Sequence, residues 1–216
     1  MKNSTFLIII LAIALVGVSY KWVTSTNSKA NTIQTASGNP VYENIMSRSS
    51  VRAYSDKKIS NEQIDTLLHA AMAAPTAVNK QPWRILVLQD KALQDSISAN
   101  MNSMKMATDA SAVIILCGDM DATFEKCPDY WVQDVSAATE NLLLAAHSMG
   151  IGAVWCGVYP VTDRVNWFQK IFKMPDNIIP LACVCLGYPS AANTPKDKWI
   201  PEHVHYNTWD NIYKSE

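Results

Sequence analysis

Two arginines and two serines stand within the five-residue stretch RSSVR, which runs from Arg48 to Arg52. The guanidinium groups of Arg48 and Arg52, with the hydroxyls of Ser49 and Ser50 between them, form a compact set of hydrogen-bond donors that suits a phosphate group. Arginine and serine are also common in solvated surface loops. Taken by itself, the stretch therefore fits a surface loop better than a phosphate site.

A second stretch carries polar groups that suit a planar ring. Residues 74–83, APTAVNKQPW, form a predicted loop between a helix and a strand and contain the hydroxyl of Thr76 and the amides of Asn79 and Gln81. Amide side chains offer both donors and acceptors to the polar edge of a heterocycle. The alternative is that Asn79 and Gln81 only satisfy the backbone of a turn.

With three further motifs, these stretches resemble the nitroreductase family over essentially all of residues 41–216. The motifs, in chain order, are RSSVR at 48–52, APTAVNKQPW at 74–83, GIGAVW at 150–155, LGYP at 186–189, and the basic pair Lys196 and Lys198. The resemblance implies an α+β fold with a mixed, largely antiparallel sheet flanked by helices, in an intertwined homodimer with two flavin sites at the interface.

The resemblance also implies an FMN-dependent oxidoreductase. Hydride would pass from NADH or NADPH through flavin N5 to a nitroaromatic, quinone or similar acceptor by a ping-pong mechanism. Because the flavin carries the chemistry, no protein residue is expected to act as nucleophile or general acid. Two alternatives stay open: a flavin-binding sensor or carrier of the cell envelope without turnover, and a flavin-dependent reductive dehalogenase on the same scaffold.

The family pattern assigns cofactor-binding residues in three groups. The phosphate and ribityl chain would be held by Arg48, Ser49, Ser50, Arg52, Lys196 and Lys198. The isoalloxazine ring would be lined by Pro75, Thr76, Asn79 and Gln81, with Asn79 reaching a flavin bound mostly by the other subunit. The strand Trp155, Cys156 and Gly157 would pass close to the ring, and we expect the Cys156 thiol to pack in the core because no His or Lys is near it in sequence.

The elements that must position these residues are clear from the sequence. Ser60 and Gln63 form a capping-box pattern before a helix that Pro75 stops, and Gly150 is placed to cap a long helix over 129–149. Apolar runs predict strands at 83–89, 112–118, 153–158 and 181–186, with a helix opening at Thr162 or Asp163. The tail carries Trp199, Tyr206 and Trp209 and needs a surface to lie on.

Composition and charge exclude other classes. The chain is 49% hydrophobic and 17% charged, so a packed core is expected. Its net charge of -1 argues against nucleic acid as a partner. Residues 1–39 hold three of the 18 basic residues and no acidic one, which leaves the remainder at -4, so an anionic ligand requires locally gathered cations.

Metal chemistry and other enzyme motifs are not indicated. The five cysteines include no C-x-x-C pair, and His203 and His205 have no set of accompanying ligands with suitable spacing, so no metal site is predicted. The glycine patterns of an esterase elbow and of a nucleoside triphosphate loop are also missing from the sequence.

The start of the chain predicts targeting. Lys2 precedes an apolar run from Phe6 to Val18, which has the length of a signal-peptide core, and an extension through residue 23 could anchor the chain in a membrane. Polar residues 24–39 then resemble a tether. We therefore expect a signal peptide or anchor with tether over 1–39, an FMN-binding domain over 40–216, and export to the cell envelope, where a reductant other than a pyridine nucleotide would be needed.

Overall fold

The computed structural model describes residues 38–213, and the predicted leader lies outside them apart from the last two residues of its tether. The chain divides into two compact units, residues 1–43 and 44–216. In the first unit, the Asn39 Oδ1 atom accepts the Val41 N–H at 3.0 Å, at the point where the first helix begins. No helix within 38–213 has both the length and the apolar character needed to cross a bilayer.

Four α-helices of the second unit alternate with its four strands along the chain, after a first helix that starts in the first unit. The helices are α1 (Pro40–Ser47), α2 (Asn61–Met72), α3 (Lys91–Asn100), α4 (Tyr130–Ser148) and α5 (Thr162–Ile171). The strands are β1 (Trp83–Leu88), β2 (Ala112–Asp119), β3 (Gly152–Gly157) and β4 (Ile178–Gly187). Each predicted strand and helix is present, with ends that shift by a few residues at most.

The strands form one sheet in the order β1-β2-β4-β3. All three neighbouring pairs are antiparallel, and an isolated parallel bridge joins Ser50 to Ala153 at the β3 edge. Strand β2 lies inside the sheet and every one of its residues is buried, which explains its continuous apolar run. The α+β architecture expected from the sequence is confirmed.

Alternation along the strands builds a core on each face of the sheet. Ile114 and Leu116 pack with the helices α2 and α4, whereas Val113 and Ile115 pack with α3 and α5. Each of these four side chains is fully buried, and full burial of one Val, Leu or Ile side chain contributes about 1.5–3 kcal/mol.

Local capping fixes the two helices that border the site. Ser60 Oγ accepts the Gln63 N–H while Gln63 Oε1 accepts the Ser60 N–H, so the predicted capping box is present at α2. At the end of α4, the Gly150 N–H donates to His147 O and the Ile151 N–H donates to Ala146 O, which is a Schellman motif. Gly150 has φ +69, which a residue with a Cβ adopts only with strain.

Candidate functional site

The stretch after α1 is fastened to the edge of the sheet. The Val51 N–H donates to Ala153 O at 3.0 Å, and the buried Val51 side chain lies over β3. A Cβ on Gly152 would lie 2.7 Å from Val51 Cγ1, so the close approach depends on glycine at that position. Residues 48–52 are thereby held beside the turn that joins α4 to β3.

The same stretch is fastened to the segment that follows β4. The Ser55 N–H donates to Tyr188 O at 2.8 Å, and the Ser190 N–H donates to Ala53 O at 3.1 Å. The Asn193 Nδ2 atom donates to Ser50 O at 3.0 Å. These bonds bring two parts of the chain together that are about 140 residues apart in sequence.

A cavity of about 240 Å³, here called the arginine cavity, opens between these segments. Side chains of Arg48, Ser49, His147 and Asn193, together with that of Ser47, give its polar lining. The remaining lining residues are Val51, Leu143, Gly150, Ile151, Gly152, Ala153, Pro189, Ala191 and Ala192. A guanidinium group, a hydroxyl and an amide thus converge on one concave space, which is a donor set suited to a phosphate ester.

Charge in the arginine cavity is set by three side chains. Arg48 Nε lies 3.5 Å from Oε1 of Glu140, and the Arg48 side chain is only 18% exposed. His147 Nε2 lies 2.8 Å from Ser47 Oγ. Burial, and to a smaller extent the positive charge of Arg48, lower the pKa of His147, so the imidazole is held neutral near pH 7.

The other predicted phosphate ligands do not line this cavity. Arg52, Lys196 and Lys198 are exposed. The carbonyl oxygen of Ser50 accepts the hydrogen bond from Asn193 Nδ2. Lys196 lies only three positions beyond Asn193, so it follows directly on a segment that does line the cavity. The structure therefore brings Arg48 and Ser49 together with Asn193, and the two lysines follow in the exposed segment beyond Asn193.

The loop over residues 75–81, here called the 75–81 loop, has a strained backbone. Val78, Asn79 and Gln81 have φ of 43°, 56° and 51°. Each non-glycine residue in this left-handed region costs about 1–2 kcal/mol, and a β-branched residue such as Val78 is a rare occupant. Such strain persists only where surrounding contacts determine the conformation.

Several hydrogen bonds hold the 75–81 loop. Thr76 Oγ1 accepts the Gln81 N–H at 3.1 Å, and Gln81 Nε2 donates to Asn79 Oδ1 at 3.0 Å. From helix α4, Oδ1 of the buried Asp134 accepts the Ala77 N–H at 2.8 Å. The two predicted ring ligands Asn79 and Gln81 are therefore both exposed and bonded to each other.

A second cavity, here called the loop cavity, has a volume of about 520 Å³. Pro75 and Thr76, both predicted from the sequence, lie in its wall, whereas Asn79 and Gln81 do not. The full lining consists of Pro75, Thr76, Ala77, Val78, Phe124, Tyr130, Gln133, Asp134 and Ala137. Aromatic and amide groups on one wall suit a flat, mostly apolar ligand with polar edges.

The predicted residues on β3 fall on opposite faces of the sheet. Trp155 is half-buried against the α2 and α4 side, and Cys156 is buried on the other side, where Sγ lies 3.8 Å from Ser103 O. A hydrogen bond with the Cys185 thiol, together with burial, raises the pKa of the Cys156 thiol well above its usual range. Gly157 is exposed, and no atom lies within 4 Å of where its Cβ would be.

The arginine cavity and the loop cavity lie toward opposite ends of helix α4. His147 borders the first and Asp134 the second, which places them about 20 Å apart along the axis at a rise of about 1.5 Å per residue. Among residues 38–213, the two linings have no residue in common. A single chain therefore holds the arginine cavity and the 75–81 loop in separate places.

Sequence reasoning missed several residues of these walls. His147 faces the arginine cavity because it lies on the last turn of α4 beside Gly150. Asn193 and Phe124 lie in irregular segments where no periodic pattern marks them. Asp134 left a signal, since it is a carboxylate among the apolar positions of a buried helix.

Comparison with known proteins adds to this geometry. The family description "Nitroreductase family" matches residues 45–119 and 99–188. A protein from Methanothermobacter thermautotrophicus named "Putative NADH dehydrogenase/NAD(P)H nitroreductase" is 41% identical over 169 residues, which are 78% of this chain and 87% of that protein.

Solved structures share the fold. A protein of the same printed name from Bacteroides thetaiotaomicron has 42% sequence identity and a TM-score of 0.76, and the match covers 80% of this chain and all of that one. A Desulfovibrio desulfuricans protein, described as a nitroreductase and solved in complex with FMN, has 27% identity and a TM-score of 0.71 over 80% of this chain and 99% of its own.

The predicted export to the cell envelope is wrong. The Methanothermobacter thermautotrophicus relative is named for NADH and NAD(P)H, and pyridine nucleotides occur mainly inside cells. Lys2 and the apolar run from Phe6 to Val18, on which the prediction rested, lie outside the described residues.

Proposed function

Because the chain belongs to the nitroreductase family, we propose that it reduces nitroaromatic compounds, quinones or similar acceptors with NADH or NADPH. It is an FMN-dependent oxidoreductase. The observation that carries the proposal is the arginine cavity, where Arg48, Ser49 and Asn193 converge from two distant parts of the chain.

The residues of the arginine cavity fit the FMN phosphate. Arg48 supplies a positive charge that is mostly shielded from water, and Ser49 and Asn193 supply neutral donors. A net-negative domain opposes an anionic ligand, so a local cation of this kind is required. We propose that Ser50, Arg52 and the exposed Lys196 and Lys198 complete the phosphate and ribityl contacts.

The 75–81 loop is proposed to bind the isoalloxazine ring. Pro75 and Thr76 would face the ring from the wall of the loop cavity, and Asn79 and Gln81 would exchange their mutual hydrogen bond for the polar ring edge. The open side of Gly157 and the neighbouring backbone of Trp155 and Cys156 would let the ring approach β3.

The site is proposed to be shared between two chains. Because the two cavities lie toward opposite ends of α4, the 75–81 loop of one subunit would meet a flavin whose phosphate lies in the arginine cavity of the other. Apolar side chains left exposed on the chain support an obligate homodimer; they include Ile45, Met46, Trp199, Tyr206 and Trp209. We place the FMN-binding domain at residues 40–216, from the start of α1.

When bound, FMN would supply the hydride-transfer chemistry, with NAD(P)H as the donor and the second substrate as the acceptor in alternation. The chain supplies binding and orientation. Arg48 and its neighbours hold the anionic end of the cofactor, and the 75–81 loop fixes the plane of the ring. Because hydride transfer through a flavin requires no protein nucleophile, the buried and protonated Cys156 thiol is given no such role.

Anaerobic titration of the purified protein tests this proposal. The protein should show the visible absorbance bands of flavin, and NADH or NADPH should bleach them. A nitrobenzoate or a benzoquinone should then restore them, and initial rates should give parallel double-reciprocal lines. A protein that does not bind FMN would overturn the proposal; bands that neither nucleotide bleaches would indicate a flavin carrier, and halide release from a halophenol would indicate a dehalogenase.

A further inference from the structure

We propose that Asp134 is a positioning residue that holds the 75–81 loop in its strained conformation through the hydrogen bond to Ala77. The inference rests on the proposed function, since that loop is taken to bind the flavin ring. It assigns a role in cofactor binding to a residue that lies 57 positions away from the loop in sequence.

The contact is direct and shielded from water. Asp134 is 6% exposed, and its Oδ1 accepts the Ala77 N–H at 2.8 Å. A hydrogen bond to a charged acceptor is stronger than one between neutral groups, and burial reduces competition from water. Among residues 38–213, Asp134 makes no ion pair. The hydrogen bond from the Ala77 amide is therefore the contact that most directly offsets the free-energy cost of burying the carboxylate.

Asp134 also lies on a rigid support. Its neighbours Val135 and Ala138 on helix α4 are fully buried in the core. About two turns further on, Asn141 Nδ2 donates to Ala70 O of helix α2 at 3.1 Å. Helix α4 thus contacts the chain on both sides of Pro75, and it determines where the 75–81 loop begins.

The 75–81 loop needs such an anchor. The bond from the Gln81 N–H to Thr76 Oγ1 and the bond from Gln81 Nε2 to Asn79 Oδ1 are internal to the loop. They fix its shape but not its place on the domain. Asp134 fixes that place, at a residue directly before the left-handed Val78.

Substitution at Asp134 separates a hydrogen-bonding role from a role of charge. Asp134→Ala removes the acceptor, whereas Asp134→Asn keeps an oxygen in the same place and removes the charge. In the flavin-free protein we expect Asp134→Ala to raise the rate of tryptic cleavage after the exposed Lys80 about tenfold or more. This factor corresponds to the free energy lost with one hydrogen bond to a charged group. Its FMN dissociation constant should rise by a similar factor, and Asp134→Asn should rescue both to within about threefold.

Asp90→Ala is the matched control. Asp90 Oδ1 also accepts a backbone N–H, that of Leu93 at the start of α3, but Asp90 is exposed and lies outside both cavities. Its substitution should leave cleavage after Lys80 and FMN affinity unchanged. Unchanged cleavage in Asp134→Ala, or an Asp134→Asn variant as impaired as Asp134→Ala, would overturn the anchor role.

A measurement on the native protein covers the case in which Asp134→Ala does not fold. Hydrogen exchange of the Ala77 amide should be slowed to the level of core amides, and rapid exchange there would overturn the proposal. The two proposals can fail separately. If the wild-type protein does not bind FMN, the proposed function is refuted. The anchor role still stands if the Ala77 amide is protected and Asp134→Ala is cleaved faster than the wild type.

Discussion

Nε of Arg48 lies 3.5 Å from Oε1 of Glu140, and the carboxylate is the more exposed partner, at 48% against 18%. Arg48 lines the arginine cavity, so Glu140 and a bound phosphate would compete for one guanidinium group. The ion pair holds the Arg48 guanidinium group in place. It adds little to the free energy of unfolding, because partly exposed pairs contribute about 0–1 kcal/mol.

Glu140→Gln should therefore tighten FMN binding. We expect the dissociation constant to fall about two- to fivefold at low salt, with a smaller difference at high salt, where charges are screened. Fluorescence quenching of FMN measures it, and Glu62→Gln, an exposed acid in the first turn of α2, is the control. Weaker binding in Glu140→Gln would show that the carboxylate orients Arg48 for the phosphate and does not compete with it.

Removal of both arginines of the RSSVR stretch should abolish flavin retention. Arg48→Ala with Arg52→Ala should give a folded, colourless protein whose FMN affinity is lower by about a hundredfold or more, since hydrogen bonds to charged groups contribute about 1.5–3 kcal/mol each. Absorbance and circular dichroism after purification measure this. Lys91→Ala with Lys105→Ala removes two exposed cations elsewhere and should stay yellow. Stoichiometric flavin in the arginine double variant would contradict the phosphate assignment.

Val78→Gly should stabilise the flavin-free protein. Val78 is 67% exposed and has φ 43°, so glycine relieves backbone strain and loses little buried area. After subtraction of the entropy of glycine in the unfolded chain, we expect a gain of up to about 1 kcal/mol in the free energy of unfolding. Val41→Gly is the control, because Val41 is likewise 67% exposed but lies within helix α1, where glycine is less favourable than valine, and it should lose stability in urea titrations. Equal losses in both variants would exclude strain at Val78.

Stability should depend on pH through His147. Burial and the nearby Arg48 lower the pKa of His147 in the folded protein below its usual value of about 6.5. The unfolded chain therefore binds the proton more readily, and stability present above about pH 6.5 is lost as the pH falls through the lower folded pKa. In urea titrations of the flavin-free protein at pH 7.5 and 5.5, His147→Gln should show a smaller loss than the native chain. His69→Gln changes an exposed histidine and should lose as much stability between pH 7.5 and 5.5 as the native chain does. If His147→Gln also loses as much as the native chain, a group other than His147 causes the pH dependence.

The sequence predicted the elements of the fold because each of them carries a local signal. The capping box of Ser60 and Gln63, the glycine after α4 and the apolar run of β2 depend on neighbours in the chain, so they could be located from one sequence. The strand order could not, because it depends on which apolar faces meet in three dimensions.

The candidate site was predicted only in part, for a related reason. Arg48, Ser49, Pro75 and Thr76 stand in recognisable motifs and line the two cavities. His147, Asn193 and Asp134 reach the cavities through long-range packing, and residue type alone does not distinguish them from other polar residues on a helix or in a tail. The roles of the site residues, including Asn79, Gln81, Lys196 and Lys198, remain predictions for the experiments above.

The distance between the two cavities along α4 has a genetic consequence. If each flavin is held by the arginine cavity of one subunit and the 75–81 loop of the other, a chain impaired only at Arg48 and a chain impaired only at Asp134 would form mixed pairs with one intact centre and one doubly defective centre. Each mixed pair would thus recover up to half the turnover of a native pair at FMN concentrations where either variant alone binds little flavin, and a site contained within one chain would show no such complementation.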